Sequence, residues 1–225
     1  DLKDKFSIKK PWVLVLRITC GLIAMWCFFM AFKLGDAGQS TLLFELSTVW
    51  TSLLAWVLFC ERPHRYSLIA IPVAFIGLYF VLQPDSAFVL GKAQGFALLG
   101  ALFNSGVYLT LKELRKTDST VSIVLATYTT ASFVIAIPWA LNPVIPSPKI
   151  LLVLAVMCSV GLCGQLLMTL GFKYAPAGIS SMMMLSAIPL MYLSGMLFFG
   201  ETVNLQGIIG IAIVFSSLAV MSRYQ

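Results

Sequence analysis

One pattern occurs twice in this chain, at a constant offset of 140 residues and without a gap. Residues 11–61 align with residues 151–201 in this way. Identical pairs along the two copies include Val13/Val153, Gly21/Gly161, Phe32/Phe172, Lys33/Lys173, Ala37/Ala177, Gly38/Gly178, Ser40/Ser180, Leu53/Leu193, Phe59/Phe199 and Glu61/Glu201. An internal duplication of this length constrains the fold strongly, because both copies must adopt related structures.

Both copies are too apolar to belong to a soluble protein. The 225 residues are 60% hydrophobic and 11% charged, with a mean hydropathy of +0.95, whereas soluble domains carry roughly 25% charged residues. Each apolar segment is close to the length of a membrane-spanning helix. We therefore predict an all-α, polytopic membrane helix bundle of eight helices, at about 11–34, 40–60, 67–83, 93–112, 120–141, 150–172, 178–199 and 204–222.

The repeat and the helix count together predict an inverted duplication. The first predicted helix aligns with the sixth, so the copies are offset by an odd number of helices and face opposite sides of the membrane. Residues 91–223 would form a complete five-helix repeat. Residues 1–86 would form only three helices, so we expect the first repeat to lack its first two helices, as in a fragment or a truncated form of a ten-helix protein.

The distribution of Lys and Arg predicts the orientation. If the N-terminus is cytoplasmic, eleven of the 15 basic residues lie in cytoplasmic segments and three in outer ones. This bias favours both termini inside. The same distribution argues against nucleic-acid binding, since the net charge of +6 is spread over short loops.

The two repeats resemble the EamA-domain family of the drug/metabolite transporter superfamily. Each half of such a protein typically has an apolar helix closing on Glu, a short link and a last helix that carries Gly. Here these marks read LLAWVLFCERPHRYSLIAIPVAFIGLYF and AIPLMYLSGMLFFGETVNLQGIIGIAIVF. The second copy has the more typical form, with Pro189, Glu201 and Gly207, whereas the first has Val49 and Ser67 at the positions aligned with Pro189 and Gly207.

The resemblance implies a secondary transporter of small metabolites such as amino acids or related compounds, plausibly an exporter that works by alternating access. It also implies a bacterial inner membrane as the location. We expect protons or substrate exchange to drive transport, and a homodimer is possible. The alternatives are a non-transporting membrane scaffold and a channel component.

An enzyme is disfavoured because the chain contains no HExxH, GxSxG, Asp-rich or multi-His motif. No cofactor is expected, and no ATP-binding motif is present.

Polar residues near the middle of predicted helices are candidates for the substrate cavity, because such side chains are costly in lipid. Asn104 and Tyr108 share one face of the fourth helix, and Gln165 lies mid-way along the sixth. Asn and Gln also join helices without any ligand, so interhelical packing is the alternative for these residues. Gln165 aligns with Met25, and this asymmetry favours a ligand contact.

Two charged residues lie inside predicted helices of the first copy. Glu45 aligns with Leu185, and its carboxylate is a candidate proton carrier or an interfacial group reaching outer water. Arg17 aligns with Met157, and its guanidinium could hold a substrate carboxylate or extend to cytoplasmic headgroups. The two residues are expected at opposite depths.

Trp50 and Pro189 complete the set of predicted substrate-binding residues. Trp50 lies near mid-membrane and could stack on a ligand or simply pack. Pro189 would free a backbone carbonyl and form a hinge or a static kink. Glu61 and Glu201, at the ends of aligned helices, are interpreted as structural.

Overall fold

The computed structural model describes residues 8–61, 65–83, 91–141, 143, 146–199 and 204–223, and these residues form helices without any strand. In chain order the helices are α1 (Pro11–Leu34), α2 (Ala37–Phe44), α3 (Ser47–Phe59), α4 (Arg65–Leu82), α5 (Lys92–Leu114), α6 (Thr120–Leu141), α7 (Pro148–Tyr174), α8 (Ala177–Met183), α9 (Ala187–Phe199) and α10 (Leu205–Arg223). A 3-10 turn, Met184–Ser186, joins α8 to α9. Because α2 with α3 and α8 with α9 form two interrupted helices, the prediction of an all-α bundle of eight helices is confirmed for the described residues.

Five of the described helices are long and apolar enough to cross a membrane: Pro11–Leu34, Ala37–Phe59, Thr120–Leu141, Pro148–Tyr174 and Ala177–Phe198. Leu68–Leu82 and Leu205–Met221 are shorter apolar helices. Helices satisfy their own backbone hydrogen bonds, which a lipid environment requires. The protein is a multi-pass membrane protein.

Both interrupted helices break at the same position of the repeat. The first break falls at Glu45 and Leu46, and an offset of 140 residues takes these to Leu185 and Ser186, within the 3-10 turn. Pro189 is therefore the third residue of α9 and not a mid-helix residue. Proline is tolerated in the first turn of a helix. The first copy is interrupted at the same place although it has Val49 where Pro189 aligns. Proline is therefore not required for the interruption.

The last helices of the two repeats, α4 and α10, pack against each other in antiparallel directions. A Cβ atom built on Gly77 would lie 2.8 Å from the carbonyl oxygen of Gly210, and one built on Gly210 would lie 2.6 Å from the carbonyl oxygen of Gly77. Gly77 also lies against Val214, and Gly210 lies against Val81. A step forward along α4, from Gly77 to Val81, therefore corresponds to a step back along α10, from Val214 to Gly210, so the two helices run in opposite directions. Antiparallel packing of equivalent helices is what an inverted duplication requires.

Helices α1 and α5 form the other close helix pair, again through small residues. Gly106 lies against Cys20, Gly100 against Cys27 and Gly35 against Ala93. Small side chains let helix backbones approach closely where lipid provides no hydrophobic driving force between helices. A buried apolar cluster at one end of this pair includes Leu14, Leu111, Leu114, Ile123 and Phe172.

Helix α7 differs from its repeat equivalent α1 in how much of it is covered. Seven residues of α1 are buried, mostly beneath α5, but only Thr169 and Phe172 of α7 are buried. The two helices correspond in sequence, so the difference lies in their neighbours. In the described part of the chain, no helix covers α7 as α5 covers α1.

Charged side chains link α1 to the end of α5 beyond the apolar segment 93–112. Glu113 forms ion pairs with Lys10 and Lys116, and the backbone N–H of Lys9 donates to Asp118 Oδ1 at 2.7 Å. Hydrogen bonds from Lys10 and then Lys116 lower the pKa of the Glu113 carboxyl. These contacts lie on the side of the bundle predicted to be cytoplasmic.

Candidate functional site

A cavity of about 330 Å³ lies between α1, α5, α6 and α7, where the first repeat meets the second. Its volume is within the range of small-molecule sites in proteins. Its polar lining residues are Arg17, Thr127, Tyr128, Ser132 and Gln165. Apolar side chains of α1 and α6, among them Leu22, Met25 and Ile135, complete the wall.

Among the described residues, Arg17 is the only charged side chain that lines this cavity. It lies two turns into α1 and is 2% exposed, so its guanidinium is inside the protein and not at the surface of the bundle. Nη1 donates to the carbonyl oxygen of Val107 at 3.4 Å, a long hydrogen bond, and Nε has no partner among the described residues. The buried charge is therefore weakly satisfied by the protein.

Gln165 lines the same cavity from α7. Gly161, Gln165 and Thr169 are spaced four residues apart on one face of this helix, and the buried Thr169 Oγ1 has no partner in the described residues. The structure thus brings Arg17 and Gln165 together from two helices that correspond in the repeat. Gln165 belongs to the second copy and Arg17 to the first, so the cavity draws on both.

Asn104 and Tyr108 lie on α5, and Glu45 lies at the break between α2 and α3. Asn104 Nδ2 donates to Ser47 Oγ at 3.1 Å, which joins α5 to the first residue of α3. The Tyr108 ring stacks on Phe172 with ring centroids 5.5 Å apart. Tyr108 follows Val107, which lines the cavity, along α5. Among the seven predicted residues, these three are not among those that line the cavity.

Glu45 occupies the break between α2 and α3, where its carbonyl oxygen accepts hydrogen bonds from the backbone and the hydroxyl of Thr48. Its side chain is half-buried. The aligned Leu185 is 1% exposed and belongs to the core. A carboxylate thus replaces a core leucine at one of the two equivalent breaks.

Trp50 and Pro189 are not among the residues that line the cavity. Trp50 is 41% exposed on α3, and Pro189 lies in the first turn of α9. For Glu61 the structure shows a defined contact, since its carboxylate accepts a hydrogen bond of 2.9 Å from the backbone N–H of Ala177 at the start of α8. Glu201 lies outside the described residues.

Sequence reasoning missed the contribution of α6. Thr127, Tyr128 and Ser132 all line the cavity, and the hydroxyl of Thr127 is buried without a partner in the part of the chain that the structure describes. The signal was present as the run Thr127-Tyr128-Thr129-Thr130-Ala131-Ser132 inside an otherwise apolar segment. No cluster of three or more metal-ligating side chains occurs in the described residues.

A bundle of membrane helices with breaks at equivalent positions, and with a cavity between its two repeats that contains several polar side chains, has the architecture of a membrane transporter. The chain belongs to the EamA-like transporter family, whose sequence model matches residues 2–83 and residues 91–223.

Relatives and one solved structure agree with this assignment. Two proteins described as uncharacterized transporters are each 26% identical to this chain. One is from Helicobacter pylori strain J99, over 212 residues, and the other is from strain 26695, over 213 residues. The matches cover 91% of this chain and 71% of each relative. A protein crystal structure superposes with a TM-score of 0.82 at 16% identity, over 97% of this chain and 80% of that one, which shows a shared fold.

Proposed function

We propose that this protein is a secondary transporter of small metabolites such as amino acids or related compounds, and that it works by alternating access as an exporter. The observation that carries the proposal is the cavity between the repeats, lined by a buried and weakly satisfied Arg17 and by Gln165. Membership of a transporter family supports it. The proposed substrate-binding set remains Arg17, Glu45, Trp50, Asn104, Tyr108, Gln165 and Pro189.

Alternating access is supported by the internal relation of the two halves. In an inverted duplication, either repeat can adopt the arrangement of the other, which exchanges the open side of the cavity. The equivalent helices α4 and α10 pack in antiparallel directions, and both interrupted helices break at the same repeat position. We propose domains 1–86 and 91–223 as the two units that rearrange.

Glu45 is the proposed site of proton coupling, with substrate exchange as the other option. It is a half-buried carboxylate at the break between α2 and α3. We further propose a bacterial inner membrane and cytoplasmic termini, which the bacterial relatives and the Lys and Arg distribution support. A homodimer is proposed as a possible assembly.

Counterflow in proteoliposomes tests the transport proposal. Vesicles containing the full-length protein are loaded with one unlabelled amino acid at a time, and uptake of trace labelled amino acid is followed. Saturable counterflow is expected for at least one member of the panel. Gln165→Ala should reduce it at least tenfold, whereas Ser159→Ala, an exposed residue of the same helix, should leave it unchanged.

The scaffold and channel alternatives give different results in the same vesicles. A scaffold would give no protein-dependent flux with any solute. A channel would give flux that does not saturate and shows no counterflow, because it lacks a step in which bound substrate alternates between sides. Either result, obtained across the whole panel, would contradict the transporter proposal.

A further inference from the structure

Arg17 is a buried cation without a carboxylate partner in the described residues, and this defines the chemistry that its cavity would accept. The side chain is 2% exposed, makes one long hydrogen bond to a carbonyl oxygen and leaves Nε unpaired. A guanidinium in a membrane protein is normally paired or lines a polar path. A fully buried charge with so little compensation is costly.

Apart from Glu45, the acidic side chains of the described residues are engaged elsewhere. Both ion pairs found in the described ranges belong to Glu113, at the end of α5. Asp36 caps α2, Glu61 contacts the start of α8, and Asp118 accepts from Lys9. Glu45 does not line the cavity and forms no ion pair there. In the described part of the chain, no carboxylate therefore neutralises Arg17.

The remaining groups around Arg17 are neutral and hydrogen-bonding. Helix α6 presents Thr127, Tyr128 and Ser132 to the cavity, and α7 presents Gln165. Hydroxyl and amide groups can donate to an oxyanion, and the planar guanidinium can bind two oxygens of one carboxylate or phosphate. The rest of the lining is mostly apolar and includes Leu22 and Ile135.

We propose that Arg17 binds the anionic group of a small amphipathic substrate, a carboxylate or phosphate, while the apolar wall holds the rest of the molecule. This inference rests on the proposed transport function and names its substrate class. The bound anion neutralises Arg17, and the free hydroxyl of Thr127 and the Gln165 amide supply further hydrogen bonds. A substrate lacking the anion would leave the buried charge unpaired, so the cavity would reject it.

Matched probes test the proposal on the full-length protein. 4-Methylpentanoate, its uncharged amide 4-methylpentanamide, and 3-methylbutyl phosphate share an apolar chain and differ in the group presented to Arg17. Binding is measured by isothermal titration calorimetry in detergent, and transport by counterflow. We expect at least tenfold tighter binding of one or both anions than of the amide. The carboxylate and phosphate arms identify which oxyanion is preferred.

Variants assign the effect to Arg17. Arg17→Gln should lose at least tenfold in affinity for the anion and little for the amide, and Arg17→Lys should retain part of the preference. Lys149→Gln, which removes an exposed charge from α7, should change neither. Circular dichroism shows whether each variant is folded. If Arg17→Gln does not fold, the anion preference of the unmodified protein is compared with that of Arg17→Lys and Thr127→Val instead.

Equal binding of anion and amide by the unmodified protein would overturn the inference, and so would an unchanged preference in the folded Arg17 variants. These outcomes are separate from failure of the transport proposal. Anion binding that depends on Arg17 without any counterflow would refute transport and leave the anion site standing. Counterflow of neutral solutes without anion preference would refute only the anion site.

Discussion

The crossing of α4 and α10 allows the energetic cost of one added methyl group to be worked out from the structure. In Gly210→Ala the new Cβ would lie 2.6 Å from the carbonyl oxygen of Gly77, 2.8 Å from Val81 Cγ2 and 2.9 Å from Val81 N. Two of these three atoms belong to the backbone and cannot rotate away. Ordinary carbon contacts are 3.5–4.0 Å, so the helices would have to separate by roughly 1 Å.

Separating the helices weakens contacts along the whole crossing, because membrane helices associate mainly through close packing. Overpacking of this kind costs about 1–3 kcal/mol. Alanine is also a better helix former than glycine by up to about 1 kcal/mol, which acts in the opposite direction. We therefore expect Gly210→Ala to lower the free energy of unfolding by about 1–2 kcal/mol.

Titration with sodium dodecyl sulfate from mixed micelles, followed by circular dichroism, measures this free energy. Gly161→Ala in α7 is the matched control, since a Cβ built there meets no atom within 4 Å. The control should be neutral or slightly stabilising. If Gly210→Ala proves as stable as Gly161→Ala, the close approach of α4 and α10 is wrong.

Three further outcomes follow from single contacts. Glu61→Ala should lower the free energy of unfolding by about 0.5–2 kcal/mol in the same titration, because it removes the acceptor for the Ala177 N–H; Glu61→Gln, which keeps an acceptor, should cost less. Ser47→Ala should cost about 0.6–1.7 kcal/mol, since Asn104 loses its interhelical partner, and a value of zero would contradict that bond. Because the pKa of Glu113 is lowered, its contribution to stability is present above its ordinary pKa of 4.5 and disappears as the pH falls through the lower folded value. In unfolding measured from pH 6 to pH 3, Glu113→Gln should therefore flatten the loss of stability.

The number and type of the helices could be predicted from the sequence because lipid imposes a simple requirement. A spanning segment must be apolar and must satisfy its own backbone, so hydropathy and helix punctuation locate it. Residues 120–141 were predicted as one helix and form one, Thr120–Leu141. The breaks at Glu45 and Leu185 were not predicted, since both copies carry apolar sequence around them without glycine, and the single proline lies downstream in one copy only.

The candidate site was only partly predictable, because hydropathy does not report which side of a membrane helix faces a neighbour. Lipid and the protein interior are both apolar, so the sequence does not distinguish an Arg17 that lines a cavity from one that extends to the headgroups. Arg17 and Gln165 could be selected because they differ from Met157 and Met25 at the aligned positions. Trp50 was selected by depth alone, and depth does not determine whether a side chain lines the cavity.

Differences in sequence between the two copies account for the positions of the polar side chains that line the cavity. The repeat supplies two similar sets of helices, and its conserved pairs, such as Gly38 and Gly178, serve packing in both. The cavity, by contrast, is lined by Gln165 from α7 and by its repeat equivalent Met25 from α1, and Arg17 stands where the other copy has Met157. A symmetric pair of amides would present the same group to both ends of a substrate. A single guanidinium and a single amide instead present different groups to the two ends of an amphipathic molecule, so such a molecule is expected to bind in one orientation.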